Sequence, residues 1–181
     1  MKNRINFKII GSGPTGLLLS IVLSKFDCNI FLTDLLPRDK LIDKDKTYAI
    51  THSTRKILTK FRLWKKLEPF LFGFDTLSIS DTVTSSFTKL TIDDLDDDIS
   101  SAKNIGWVVK HSDLMNVFFR EIDNYDNIFF MKSQNLSEKK ILFDYQFFST
   151  GANSVDKKFI DFVEIKKSYS QSCLTFKVSL R

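Results

Sequence analysis

At 181 residues, with 43% apolar and 27% charged residues, the chain is long enough to bury a core, and its composition argues against a disordered or membrane-embedded class. A net charge of +5 and a pI near 9.1 permit weak attraction to anionic surfaces. The basic residues Lys56, Lys60, Arg62, Lys65, Lys66, Lys157, Lys158, Lys166 and Lys167 nevertheless fall in short clusters outside any nucleic-acid module and read as a solvated face, so no nucleic-acid partner is expected.

In chain order, Ile5 to Ile10 reads as a short buried strand. Pro14 to Phe26 reads as a helix with Leu17, Leu18, Ile21 and Val22 at helical spacing, and Asn29 to Thr33 as a second strand. Lys2, Arg4 and Lys8 ahead of an apolar run imitate a secretory signal, but Gly11, Gly13, Pro14 and Gly16 interrupt it. No stretch approaches the ~18 to 20 apolar residues needed to span a bilayer, so no transmembrane segment is expected.

Pro37 to Lys46 reads as a charged loop, and Ser53 to Leu67 as one helix with Ile57, Leu58, Phe61 and Leu67 inward. From Thr76 the pattern alternates, in Leu77 to Ser80 and Phe87 to Ile92, which predicts two antiparallel strands of an inserted sheet. The acidic run Asp93, Asp94, Asp96, Asp97, Asp98 lacks the glycine and terminal glutamate of a calcium loop and reads as solvated. Gly106 to Lys110 is a strand, and Ser112 a candidate N-cap for a helix over Asp113 to Ile122 with Leu114, Val117, Phe118 and Ile122 inward. Ile128 to Met131 and Ile141 to Ser149 read as strands, followed by strands near Phe159 to Ile165 and Ser172 to Leu180. The 18 phenylalanines are spread along the chain and do not form a base-stacking platform. Cys28 and Cys173 lack CxxC spacing, which argues against a disulfide framework or a metal site and suits a reducing cytoplasm.

The chemistry sits in Gly11-Ser12-Gly13-Pro14-Thr15-Gly16, a GxGxxG pattern directly between a predicted strand and a predicted helix. Gly11 permits the tight turn, Gly13 lets backbone amides approach a pyrophosphate, and Gly16 lets the helix pack on the sheet. The helix N-terminus then favours the phosphate charge. Asp34, at the end of the second strand, is where a carboxylate accepts hydrogen bonds from an adenosine ribose.

With these residues in order, the chain resembles the class A flavoprotein monooxygenases, most closely the hydroxylases of ubiquinone biosynthesis that act on polyprenylated phenols. The resemblance continues through Tyr48 to Leu58, Leu63 to Leu67, Leu77 to Asp81, Gly106 to Leu114, Gly151 to Ser154 and Tyr169 to Gln171. It implies an α/β fold: a Rossmann-like FAD-binding domain with a parallel sheet, plus part of an antiparallel β substrate domain. The FAD-binding domain would occupy 1–72 and 102–157, the substrate-domain insertion 73–101, and the start of a returning sheet 158–181. The implied cofactor is FAD, with NAD(P)H as co-substrate and O2 as oxidant, and the implied substrate a small aromatic molecule. The implied setting is the cytoplasm, at the inner face of the membrane, beside other proteins of ubiquinone biosynthesis.

Lys46, Ser112, Thr150 and Gly151 complete the cofactor-binding set that the resemblance implies, and three of them depart from the family. Lys46 stands where arginine is usual, Ser112 where an arginine helps hold the cofactor, and Thr150 where an aspartate precedes the glycine. The family's second flavin motif, a Gly-Asp-Ala region, has no counterpart before Arg181, so the isolated chain is expected to be an incomplete, inactive hydroxylase. No catalytic residue is assigned; His52, His111 and Asp81 read as structural or exposed. Two other classes stay open: a non-catalytic remnant or nucleotide-binding module that associates with another chain, and a nicotinamide-binding reductase.

Overall fold

The computed structural model describes residues 4–95, 103–132, 141–151 and 167. The N-terminal unit is β1 (Ile5–Ile10), α1 (Pro14–Leu23) and β2 (Cys28–Asp34), with β1 and β2 parallel and Ile5 opposite Cys28. The helix ends at Leu23, short of Phe26, because Ser24 caps it: its N–H donates to Ser20 O, and its hydroxyl donates to Ile21 O.

Among the described residues, two further parallel strands belong to this sheet. β8 (Ile128–Lys132) lies outside β2, and β9 (Tyr145–Phe148) lies on the far side of β1. The order is β8-β2-β1-β9. The chain leaves β1 toward β2 in one direction and later returns to its other side as β9, so the sheet has its topological switch between β1 and β9. In such sheets, ligands bind beyond the carboxyl ends of the strands at that switch. Ile9, Ile30 and Leu32 bury one face, against Leu17 and Ile21 of α1 and Met115 and Phe118 of α5 (His111–Ile122).

A second sheet is antiparallel, ordered β3-β7-β4, from β3 (Thr47–Ile50), β4 (Phe72–Phe74) and β7 (Gly106–Lys110). β5 (Leu77–Asp81) and β6 (Ser86–Leu90) form a separate hairpin with Leu77 opposite Leu90. The alternating pattern from Thr76 is therefore an antiparallel pair, although it stops at Leu90, and Ile92 opens a 3-10 turn. Both faces of the hairpin are open to solvent: Ile79 is 54% and Phe87 63% exposed.

Further sequence expectations need correction. The charged stretch after Pro37 contains a helix, α2 (Arg38–Ile42). Arg38 holds it from outside, its guanidinium over the rings of Phe119 and Phe130 at 5.1 and 5.0 Å and 2.8 Å from Asp123 Oδ1. The single helix expected from Ser53 to Leu67 is two, α3 (His52–Lys60) and α4 (Trp64–Leu67). Arg62 takes φ 61, Leu63 N–H donates to Leu58 O at 2.8 Å and Arg62 N–H to Thr59 O at 3.0 Å, the paired bonds of a Schellman ending. Ile57 consequently faces solvent, whereas Leu58 and Leu67 are buried. The strand expected from Ile141 is ordered as β9 only from Tyr145; the preceding segment is tied to Asn6, whose N–H donates to Asp144 Oδ2 and whose side chain donates to Leu142 O.

Ser112 is not the N-cap of α5. The helix begins two residues earlier than expected, at His111, with Lys110 in the cap position and no side-chain cap bond. His111 is buried and drawn inward on three sides: its N–H donates to Lys46 O, Nε2 donates to Leu41 O at 2.7 Å, and Nδ1 accepts from the Tyr48 hydroxyl at 2.8 Å. A carbonyl can only accept, so Nε2 carries the proton. Burial also pushes the Tyr48 phenol above its ordinary pKa.

Among the described residues, no helix is long and apolar enough to cross a membrane, and no group of three or more His, Cys, Asp or Glu residues could hold a metal ion. The strands expected near Phe159 to Ile165 and Ser172 to Leu180, the matches at 152–154 and Tyr169 to Gln171, and Cys173 lie outside the described residues.

Candidate nucleotide site

The carboxyl ends of β1, β2 and β9 meet at the glycine loop. Gly11 follows β1 with φ +102, where an L side chain is strained; a Cβ there would lie 2.5 Å from Ser149 O and 2.9 Å from Thr150 N. Gly16 has no room for another reason. It lies in the first turn of α1 directly against the loop, and a Cβ would lie 1.9 Å from Gly11 O and 2.7 Å from Ser149 Oγ. Both glycines are therefore required by the chain's own packing.

Gly13 differs. It is the N-cap of α1 with φ −72 and ψ −178, an extended conformation open to any residue, and a Cβ would meet nothing within 4 Å. Nothing in the described fold requires glycine there, whereas a ligand lying on the backbone would. Pro14 follows as the first helical residue, where its missing N–H is no loss. The amides of Thr15 and Gly16 precede the first intrahelical bond, Leu17 N–H to Gly13 O, and so point out of the helix start.

Asp34 stands beside the loop, as the sequence places it. Its Oδ2 accepts the Ser12 N–H at 2.7 Å, and its Oδ1 accepts the Leu36 N–H at 3.1 Å. Each carboxylate oxygen keeps capacity for another donor, such as a ribose hydroxyl. The Ser12 side chain behaves otherwise: Ser12 is fully buried, and its hydroxyl has no hydrogen-bond partner. An oxygen sealed from water in this conformation is also sealed from a ligand, so Ser12 offers the site its backbone N–H and not its side chain.

From the other side, Ser149 follows β9 and closes on the loop. Its N–H donates to Ile10 O at 2.7 Å, and its hydroxyl donates to Gly11 O at 2.6 Å, with Ile10 O at 3.1 Å. Thr150 and Gly151, the latter with φ +70, follow directly and so lie beside the glycine loop. Ser149 carried no sequence signal, since a serine at a strand end is ordinary. Lys46 and Ser112 are brought together by different bonds, through the β3–β7 pairing and the His111 N–H to Lys46 O bond at 2.8 Å; Lys46 is exposed and Ser112 half-buried.

The two histidines are packed into the fold. His52 Nε2 lies 2.8 Å from Asn104 O with its ring edge-on to Trp107, and His111 has the partners described above. Asp81 closes the β5–β6 turn, accepting from Val83 N–H at 2.9 Å and from the Thr84 hydroxyl at 2.7 Å. These bonds hold its carboxyl below the ordinary range, the Thr84 hydroxyl bond contributing most.

No family model matches the chain. Over 96 residues it is 29% identical to the uncharacterized protein slr1300 of Synechocystis sp., a match covering 51% of this chain and 23% of that protein. Among solved structures, p-nitrophenol 4-monooxygenase PnpA from Pseudomonas putida DLL-E4 matches with a TM-score of 0.58 at 14% identity, covering 73% of this chain and 32% of PnpA. Pseudomonas aeruginosa pqsL, a probable FAD-dependent monooxygenase, matches at 0.55 and 10% identity over 72% of this chain and 33% of its own. The flavin-dependent monooxygenase PieE, solved with FAD and substrate, matches at 0.53 and 12% identity over 72% of this chain and 24% of its own. The chain thus spans about a third or less of the length of these proteins. The fold is a Rossmann-like α/β fold, a parallel sheet with antiparallel sheets added to it, and it is similar to part of each of these monooxygenases.

Proposed function

We propose that this chain forms the dinucleotide-holding part of an FAD-dependent monooxygenase that hydroxylates a polyprenylated phenol in ubiquinone biosynthesis with NAD(P)H and O2. The observation that carries the reading is Gly13: a glycine the chain's packing does not need, at the switch point of a parallel sheet, with open space above it and a carboxylate at the end of the next strand. The similarity of fold to FAD-dependent monooxygenases supports the same reading.

In this proposal the backbone of Gly11 to Gly16 holds the pyrophosphate, the start of α1 meets its charge, and Asp34 accepts from the adenosine ribose. Lys46, Ser112, Thr150 and Gly151 lie toward the flavin end, and the hairpin within 73–101 belongs to the substrate side. When bound, the flavin supplies the redox chemistry, and the protein's residues supply position and exclusion of water. The proposed setting is the cytoplasmic face of the membrane, with other ubiquinone-biosynthesis proteins as partners.

Thr150 favours a second reading, a nucleotide-binding module without catalysis, because it removes a carboxylate from the flavin end. Purifying the chain and titrating it with FAD and with ADP separates the two. Tight FAD binding with perturbed flavin absorption supports the monooxygenase reading, binding of ADP with no preference for FAD supports the module, and binding of neither refutes both.

A further inference from the structure

The peptide unit joining Gly11 to Ser12 is held from both sides. In a planar trans peptide the C=O and N–H point in opposite directions. Here the C=O of Gly11 accepts from Ser149 Oγ at 2.6 Å, and the N–H of Ser12 donates to Asp34 Oδ2 at 2.7 Å. Gly11, with φ +102, is the residue about which such a unit turns most freely, since glycine has no side chain to restrict it. Its direction is therefore set by these partners, one from the end of β9 and one from the end of β2. Ser149 is itself anchored by its own N–H on Ile10 O. Asp34 is steadied by Leu36 N–H.

We propose that Ser149 is a positioning residue of the nucleotide site. With Asp34 it clamps the Gly11–Ser12 peptide and so orients the amides that follow it toward a diphosphate. The inference rests on the reading of the glycine loop as a nucleotide cradle. It makes the phosphate-facing and ribose-facing parts of the site one unit, because the carboxylate that would take a ribose hydroxyl also holds the loop. A change at β9 is felt at the adenosine end through a single peptide.

The test uses the full chain, ADP titration calorimetry and the Ser12 amide resonance by NMR, for wild type, Ser149→Ala, Ser149→Thr, Asp34→Asn and the double variant Ser149→Ala/Asp34→Asn. Ser149→Ala is expected to weaken ADP binding about 5- to 10-fold, the change that loss of one hydrogen bond of about 1 kcal/mol net produces. It should shift the Ser12 amide upfield in the absence of ADP; Ser149→Thr, which keeps the hydroxyl, should restore both. The double variant should weaken binding by less than the product of the two single effects, as coupled partners do. Lower thermal stability in Ser149→Ala with unchanged ADP affinity and an unmoved Ser12 amide would overturn the proposal, leaving Ser149 merely structural. If Ser149→Ala does not fold, Asp34→Asn interrogates the same peptide from its other side, and an unmoved Ser12 amide there overturns the clamp. Failure of the wild-type chain to bind ADP refutes the nucleotide reading separately, and the amide shifts still decide the clamp.

Discussion

Replacing Gly13 with valine should weaken nucleotide binding without unfolding the chain. The folded backbone is already extended at this position, and the new Cβ meets nothing within 4 Å, so the added Cβ brings no clash. Losing glycine restricts the unfolded chain and favours folding by about 0.4–1 kcal/mol, while valine is a poorer N-cap by about the same amount. The two nearly cancel, so the melting temperature should move by no more than about 2–4 °C. The isopropyl group would, however, stand where a phosphate must approach the amides. Hydrogen bonds to a charged group contribute about 1.5–3 kcal/mol each, so losing one weakens ADP and FAD binding about 10- to 150-fold. Gly16→Ala gives the opposite pattern: its Cβ would lie 1.9 Å from Gly11 O, and a backbone clash of that kind should destabilise the fold by about 3 kcal/mol or more. Calorimetric titration and thermal melts on both variants decide the matter. A folded Gly13→Val chain that binds ADP as tightly as wild type would refute the placement of the diphosphate on this loop.

Ser12→Ala should be neutral or stabilising by up to about 1 kcal/mol in urea denaturation, because it removes a buried hydroxyl with no partner; a loss above 1 kcal/mol would mean that the hydroxyl is bonded. Thr150→Asp should tighten FAD binding but not ADP binding, since the added carboxylate would act at the flavin end; equal effects on both ligands would misplace Thr150. Asp81 has its carboxyl held below the ordinary value of 3.8, so its bonds favour the folded turn above that value and the benefit is lost as pH falls through the lower folded-state value. An NMR titration of Asp81 should show a midpoint below 3.8, and Asp81→Asn should abolish the accompanying acid shift of the Val83 and Thr84 amides; a midpoint at or above 3.8 would show that the turn bonds do not persist in solution.

What the sequence revealed followed local rules, and what it hid depended on distant partners. β1, α1 and β2 were legible because three glycines, a proline and an apolar run each have a local consequence in that order. Asp34 was legible from its position at a strand end, although its bond to Ser12 N–H was not. The break between α3 and α4 was hidden because arginine occupies the left-handed position that glycine or asparagine usually marks. α2 was hidden because its charged residues look solvated until Phe119 and Phe130 arrive to receive Arg38. Ser112 has the residue type of a cap, but His111, with three partners, draws the helix start back by two residues. Ser149 was unreadable for the same reason: its meaning comes from a carbonyl 138 positions away.

That separation also sets an order of events in folding. β1 and β2 close over 23 residues, from Ile5 to Cys28, whereas the bond from Ser149 to Gly11 closes over 138, which costs about 1.6 kcal/mol more in loop entropy. During synthesis, 115 residues separate Asp34 from Ser149, so at the usual elongation rates the N-terminal unit waits about 5–25 s for β9 to emerge. Through that interval β1 presents an open edge, and the Gly11 carbonyl lacks its hydroxyl partner. The glycine loop thus leaves the ribosome before β9 and takes its final shape only once β9 has followed. On the proposed reading, a nucleotide that binds only the closed sheet would stabilise it over every species that precedes it.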